Sequence, residues 1–313
     1  MRVLVAGASG VIGSRLVPLL LAVGHDVVAL ARTPQRTAAL EQDGAEVVVA
    51  DALDREGLAA AVRDASPDAV VNLLTAIPGT LNPRRLARDF ALTNRLRTEG
   101  TRNLLDAARA AGVRRIVAQG LAYAYQPAAS ADPADPAALA NEDTPLWHDG
   151  TPRQFAPVLA ALESLEEQTV AAGGVVLRFG HLYGPGSVYA PDGSFTAQVR
   201  AGKVPLVGGG HAVFSFTHAD DAASAIVAAL DRDVTGVLNV VDDRPTPLHT
   251  WLPQFAAELG APAPKTAPAA LARLAVGAWG VAFMDRLRGA DNARARLVLN
   301  WRPRYASWRD GMA

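Results

Sequence analysis

The feature that most constrains this chain stands near its first residue. A short β-branched run, Arg2–Ala6, feeds directly into Gly7-Ala8-Ser9-Gly10-Val11-Ile12-Gly13 and then into the apolar stretch Val11–Val23. Strand, glycine turn and helix in that order form the context in which G-x-x-G-x-x-G carries meaning. Gly7 permits the tight turn, Gly10 lets backbone approach a pyrophosphate, and Gly13 allows helix to lie close on strand. The anion is expected on the helix N-terminus, held by the backbone of Gly7, Ser9, Gly10, Val11, Ile12 and Gly13.

The same alternation continues. Further strands are expected at Asp26–Ala31, Glu46–Ala50, Ala69–Leu73, Arg115–Ala118, Gly174–Arg178 and Gly236–Val241. Helices are expected at Arg55–Asp64, Leu92–Ala111 and Pro157–Ala172. Strands separated by helices imply an α/β Rossmann fold with a doubly wound parallel sheet. The expected division is residues 1–182, with the strand at 236–241, as the dinucleotide-binding Rossmann domain, and 183–313 as mainly a substrate-binding subdomain. The latter holds helices at Trp251–Leu259 and Ala267–Leu287. Gln126–Gly150, rich in Pro, Ala and Asp, is expected to be an exposed excursion near the site mouth.

Composition excludes several functions. Half of the 313 residues are hydrophobic, enough for a large core. A formal net charge of −1 gives no basic field to attract nucleic acid or anionic lipid. With no cysteine there is no disulfide, thiolate metal site or cysteine nucleophile, so redox chemistry must come from a cofactor. No metal is expected. The opening strand leaves no room for a signal peptide, so the expected address is the cytoplasm. The apolar run Leu274–Met284 is too short to cross a bilayer and reads as a buried helix or pocket wall.

Cofactor choice is read at the end of the second strand. An acidic residue there would accept from the ribose 2′-hydroxyl of NAD. The position is Ala31, followed by Arg32, with Arg36 nearby. A guanidinium suits a 2′-phosphate, so NADP(H) is expected.

Taken together these residues resemble the extended short-chain dehydrogenase/reductases, the NAD-dependent epimerase/dehydratases, over nearly the whole chain. The resemblance rests on the glycine turn and on Asp51-Ala52-Leu53-Asp54, like the family's adenine-side aspartate. It also rests on Leu73-Leu74-Thr75 at the fourth strand, and on Asn94 with Gly100–Ala107, like the structural asparagine and the helix before strand five. Arg178-Phe179-Gly180-His181-Leu182-Tyr183-Gly184-Pro185-Gly186 resembles the segment beside the nicotinamide, and Phe216–Ala222 resembles "FxHxxDxA". The resemblance implies cofactor contacts at Asp51, Ala52, Leu73, Leu74, Thr75, Asn94, Gln119, Gly120, Phe179, Gly180, His181 and Leu182. It implies a monomer or homodimer acting on a small molecule, dimers through the two long helices being common in the family. His218-Ala219-Asp220-Asp221 is read as a structural turn, and Glu163, Glu166 and Glu167 as a solvated helix face.

One departure governs the functional reading. The family's chemistry uses a tyrosine acidified by a lysine four residues later. Four residues after Tyr123, Tyr125, Tyr183, Tyr189 and Tyr305 stand Pro127, Ala129, Ser187, Gly193 and Arg309. The helix that should carry the pair reads Gln154-Phe155-Ala156-Pro157-Val158-Leu159-Ala160-Ala161-Leu162-Glu163. The strand-five serine is also absent, Leu121 or Ala122 standing where it would fall. Remaining proton-donor or carbonyl-binding candidates are Tyr123, Tyr125, His181 and Thr75; Leu121, Tyr123, Phe155 and Tyr183 are expected at the substrate. The leading expectation is an NADPH-dependent ketoreductase using a non-standard or substrate-supplied proton. That picture resembles atypical reductases of aromatic, angucyclinone-type polyketides, in which a peri-phenol both activates the ketone and protonates the product. The rivals are an epimerase or dehydratase on a nucleotide sugar or polyketide, and a catalytically silent NADP-binding sensor or scaffold.

Overall fold

In the computed structural model, which describes residues 1–33, 38–128 and 139–312, seven parallel strands form one sheet. They are β1 (Arg2–Ala6), β2 (Asp26–Ala31), β3 (Glu46–Val49), β4 (Ala69–Asn72), β5 (Arg115–Leu121), β6 (Val175–Phe179) and β7 (Gly236–Val240). Their spatial order is β7-β6-β5-β4-β1-β2-β3. The order reverses between β1 and β4, the crevice where doubly wound sheets bind ligands at their carboxyl ends.

Helices cover both faces. Val3, Val5, Val27, Ala29 and Val71 point into one core with α1 (Gly13–Ala22) and α5 (Ala219–Leu230). Leu4, Ala6, Val28, Leu30 and Val70 point oppositely, beneath α2 (Arg55–Ala65) and α3 (Thr101–Ala110). Successive residues of each strand are buried on opposite faces, so these strands read as continuous apolar runs. The helix α4 (Ala156–Ala171) lies against β5 and β6. A third core joins the carboxyl end of β5 and the start of α4 to α6 (Leu248–Glu258) and α7 (Ala269–Asp285).

Three expectations are corrected. The helix Leu92–Ala111 is not continuous: an α-helical turn, Ala91–Arg95, passes through a π-helical turn, Leu96–Gly100, into α3. The extra residue in a π turn offsets the faces on either side of it, and such turns cluster at functional sites. The helix expected at Ala267–Leu287 is α7, broken at Gly277, whose φ of 74° is open to glycine and strained for other residues. The described part of the Gln126–Gly150 excursion is tucked inward: Trp147 is fully buried, its backbone N–H donating to the Ala124 carbonyl. Its indole lies 6.4 Å from that of Trp279, and the Arg286 guanidinium sits over its ring. An apolar anchor outweighs the surrounding polar composition.

Candidate active site

The glycine turn fits a dinucleotide pyrophosphate by its own geometry. Gly7 has φ +93°, and a Cβ on it would stand 2.6 Å from the Leu73 carbonyl oxygen of the neighbouring strand end. A Cβ on Gly13 would meet the Gly7 and Ala8 carbonyl oxygens at 2.4 Å. Above Gly10 only the Gly7 oxygen lies near, at 3.3 Å, and Ser9 and Gly10 are exposed. Ile12 begins α1 without a side-chain cap, so no side chain competes with an incoming anion at this helix start, where the Ser14 and Arg15 N–H groups already donate to Gly10 and Ile12. Gly186, at φ +80°, brings the Gly184–Gly186 loop beside Val11.

Around this turn the predicted residues fall at the carboxyl edge of the sheet. Ala31 is buried, whereas Arg32 is exposed and pairs with no described residue. Arg36 lies outside the described residues. Asp51 accepts from the Leu53 N–H at 2.9 Å, and Asn103 donates to the Ala52 carbonyl, fixing the loop after β3. Asn72 donates to Thr101 Oγ1 at 3.0 Å and accepts from the Leu74 N–H, setting the path of Leu73 and Leu74. Thr75 is exposed. The Asn94 Oδ1 is buried without a partner.

Other candidates serve the scaffold. Tyr125 is fully buried; its hydroxyl donates to Asn239 Oδ1 at 2.6 Å and accepts from Arg178 Nη1 at 2.8 Å. Burial pushes it up to about 12. Its hydroxyl is thus spent on a buried network. Arg178 also makes a two-pronged pair with Glu166, at 2.7 and 2.5 Å. Glu166 is therefore no part of a solvated face, being only 8% exposed; Arg178, arriving from β6, is the partner that a helix-only reading does not contain. A Cβ on Gly120 would come within 3.2 Å of that carboxylate, so this glycine keeps α4 close to the sheet. Gln119 is half-buried on the same strand. Tyr183 is fully buried and its hydroxyl donates to the Ser307 carbonyl. His218 caps α5 by accepting from the Asp220 N–H, and no metal-ligand cluster occurs among the described residues.

The remaining candidates converge. His181 is stacked between Tyr123, with ring centroids 4.7 Å apart, and Phe214, at 3.8 Å, with Phe283 edge-on at 5.5 Å. Its Nε2 is buried and unpartnered. Burial lowers its pKa to about 3, so the ring is neutral at ordinary pH. Gly180 and Phe179 hold this strand crossing: a Cβ on Gly180 would strike the Ser215 carbonyl, and its N–H donates to Thr217. The half-buried Leu182 packs against the sheet core. Phe155, at the start of α4, stacks on Trp279 at 4.0 Å, and Leu159 follows four residues later, also buried. Leu121 joins the same cluster. Burial raises the pKa of Tyr123, Tyr183 and Tyr189 further above the phenol range. An apolar wall thus replaces the acidified phenol.

Sequence reasoning held Trp279 and Phe283 only as part of a pocket-wall run, and did not single out Phe214 or, above all, Arg97. Arg97 sits in the π turn, 2% exposed, its Nη1 without a hydrogen bond. The available signal was its spacing of four from Thr93 and Thr101, both fully buried. An open cavity of about 270 Å³ lies farther out, between Tyr189, Thr196, Arg200, Phe255 and Met312. Neither the glycine turn nor His181 lines it.

A profile of the NAD dependent epimerase/dehydratase family matches residues 3–240. The chain belongs to that family. Among its relatives, a 3-diazoavenalumate denitrifying reductase from a Streptomyces species is 50% identical over 319 residues, covering 100% of this chain and 99% of that protein. A UDP-glucose 4-epimerase from Thermotoga maritima superposes with a TM-score of 0.78 at 21% identity, covering 100% of this chain and 96% of that one. A human epimerase family protein, SDR39U1, solved with NADPH, superposes with a TM-score of 0.71 at 25% identity, covering 100% and 98%. This epimerase/dehydratase family member is thus of the nicotinamide-dependent class and has a reductase among its relatives. No helix among the described residues is long and apolar enough to cross a membrane.

Proposed function

We propose that this protein is an NADPH-dependent reductase of a planar aromatic small molecule whose acceptor group takes hydride without a proton from the enzyme. The acceptor assigned is an aryl diazo group. The observation that carries the reading is that Phe155 and Leu159 occupy the helix start where the family's tyrosine–lysine pair is expected, while His181 is neutral and the nearby phenols are held above their usual range.

A bound reduced nicotinamide would supply hydride to the terminal nitrogen of an arenediazonium; the N–H proton so formed is lost to water as the carbon–nitrogen bond breaks and dinitrogen leaves, and the aryl carbon takes a proton back from water, so that arene, dinitrogen and oxidised cofactor form with no net proton consumed. What this chain's residues contribute is enclosure and orientation. Tyr123, His181 and Phe214, stacked on one another, with Phe155 stacked on Trp279, form a dry, rigid wall against which a flat substrate would lie and from which water is excluded. Absence of the family's lysine removes a cation from beside a cationic acceptor. The relative that the whole chain matches is named for loss of nitrogen from a diazo compound, which supports this choice. The exposed Arg32 and the missing acid at Ala31 support NADPH over NADH.

The same wall accommodates the ketone expected from the sequence, provided that its peri-phenol supplies the proton. The two acceptors separate by experiment. The diazo reading expects one dinitrogen released for each NADPH oxidised; Tyr123→Phe should change kcat at saturating substrate by less than about threefold, whereas a tyrosine donor would cost roughly 100-fold or more. If diazo arenes consume no reduced cofactor above the enzyme-free rate while an aromatic ketone does, the acceptor is the ketone. If neither does, the protein is a cofactor-binding sensor.

A further inference from the structure

The buried cation of the π turn has no counterpart in the reaction as described. Thr93, Arg97 and Thr101 lie along one buried line of this helical segment. Thr93 Oγ1 accepts from the Ala76 N–H and Thr101 Oγ1 accepts from Asn72, so the residues on either side of Arg97 are fastened to the carboxyl end of β4. The π turn packs against α4, so that Arg97 is enclosed between the two, where its charge acts on the Tyr123 hydroxyl. Nevertheless it has no hydrogen bond or ion pair among the described residues, with Nη1 buried and orphaned. Glu166, the carboxylate whose charge reaches Arg97, is committed at both oxygens to Arg178.

A buried guanidinium without an anion is costly, and that cost falls when a ligand brings the anion. The pyrophosphate and 2′-phosphate of the dinucleotide are accounted for at the glycine turn and at Arg32, on the other side of β1. Tyr123, on which the Arg97 charge acts, is stacked on His181 and packs against the apolar cluster behind it. One cation set in aromatic faces matches one carboxylate on a flat ring system; a nucleotide diphosphate would need more positive charge.

We infer that Arg97 is the anchor for a substrate carboxylate, making the protein selective for planar aromatic acids, with the Tyr123 hydroxyl as a second contact. This deepens the reductase reading and rests on it. Pairing with the carboxylate also cancels the Arg97 charge, so that a cationic acceptor on the same substrate meets no net repulsion. The name of the diazo-reducing relative describes a carboxylate, which agrees with such an anchor.

Binding without turnover tests the anchor independently of the acceptor. Cinnamate, 2-naphthoate and their primary amides would be titrated by calorimetry into the full-length protein saturated with NADP+. The wild type should bind the acids about 30-fold more tightly than the amides, Arg97→Gln should level the two to within about threefold, and Arg97→Lys should keep part of the preference. Should Arg97→Gln fail to fold, the Lys variant carries the test, because loss of bidentate geometry must still narrow the ratio. An unchanged acid-to-amide ratio in both variants overturns the inference, as does wild-type indifference to the carboxylate or tight UDP-glucose binding that needs Arg97. If the acids bind through Arg97 but no diazo acid is reduced, the anchor stands and the acceptor reading alone fails.

Discussion

The two ends of the same sheet edge are built by opposite means. At the glycine turn small residues leave the backbone N–H groups open to an anion; at Tyr123 and His181 large rings are stacked around few polar atoms, the buried Arg97 among them. The first end needs a fixed backbone path, which few residue types allow. The second needs shape and dryness, which many combinations of apolar residues supply. Recognition by backbone is therefore sensitive to single atoms, and recognition by packed rings is sensitive to volume and charge.

That contrast breaks most sharply at Gly13. A Cβ there meets two carbonyl oxygens at 2.4 Å, so Gly13→Val should abolish measurable cofactor binding and cost about 3 kcal/mol or more of stability, read by calorimetry and thermal melting. Retained NADPH affinity would remove the turn from the site. Next in size is the buried pair behind the aromatic end: Glu166→Gln strands the Arg178 charge and should cost about 3 kcal/mol by denaturant unfolding, with cofactor affinity little altered. Arg32→Ala sharpens the backbone end, weakening NADPH by roughly 10- to 100-fold while NADH stays within about twofold. Equal effects on the two cofactors would sink the phosphate assignment.

The smallest effect is a pH dependence. His181 has a folded pKa of about 3 because burial disfavours its cation, below the roughly 6.5 of an unfolded histidine. The unfolded chain binds the proton first, so this contribution is intact above about pH 6.5 and is lost as pH falls, reaching about 2 kcal/mol near pH 5. His181→Phe keeps the stack without the titration and should flatten that part of the wild-type curve. His218, also lowered by burial, acts in the same direction and remains in both proteins, so the difference between the two curves isolates His181.

What the sequence determined by itself was the part governed by local rules. The strand periods, the glycine turn, the arginine at the end of β2 and the missing tyrosine–lysine pair are each decided within a few residues, and the sheet has the doubly wound form expected from them. Tertiary structure decided which side chains share a space. Tyr125 appeared equivalent to Tyr123 until Arg178 and Asn239 claimed its hydroxyl from two other strands. Glu166 appeared solvated until β6 supplied Arg178, and Arg97 was one arginine among many until a π turn and two threonines turned it inward. Those contacts join residues remote in the chain. Burial and pairing are properties of the assembled core, so no window along the sequence contains them.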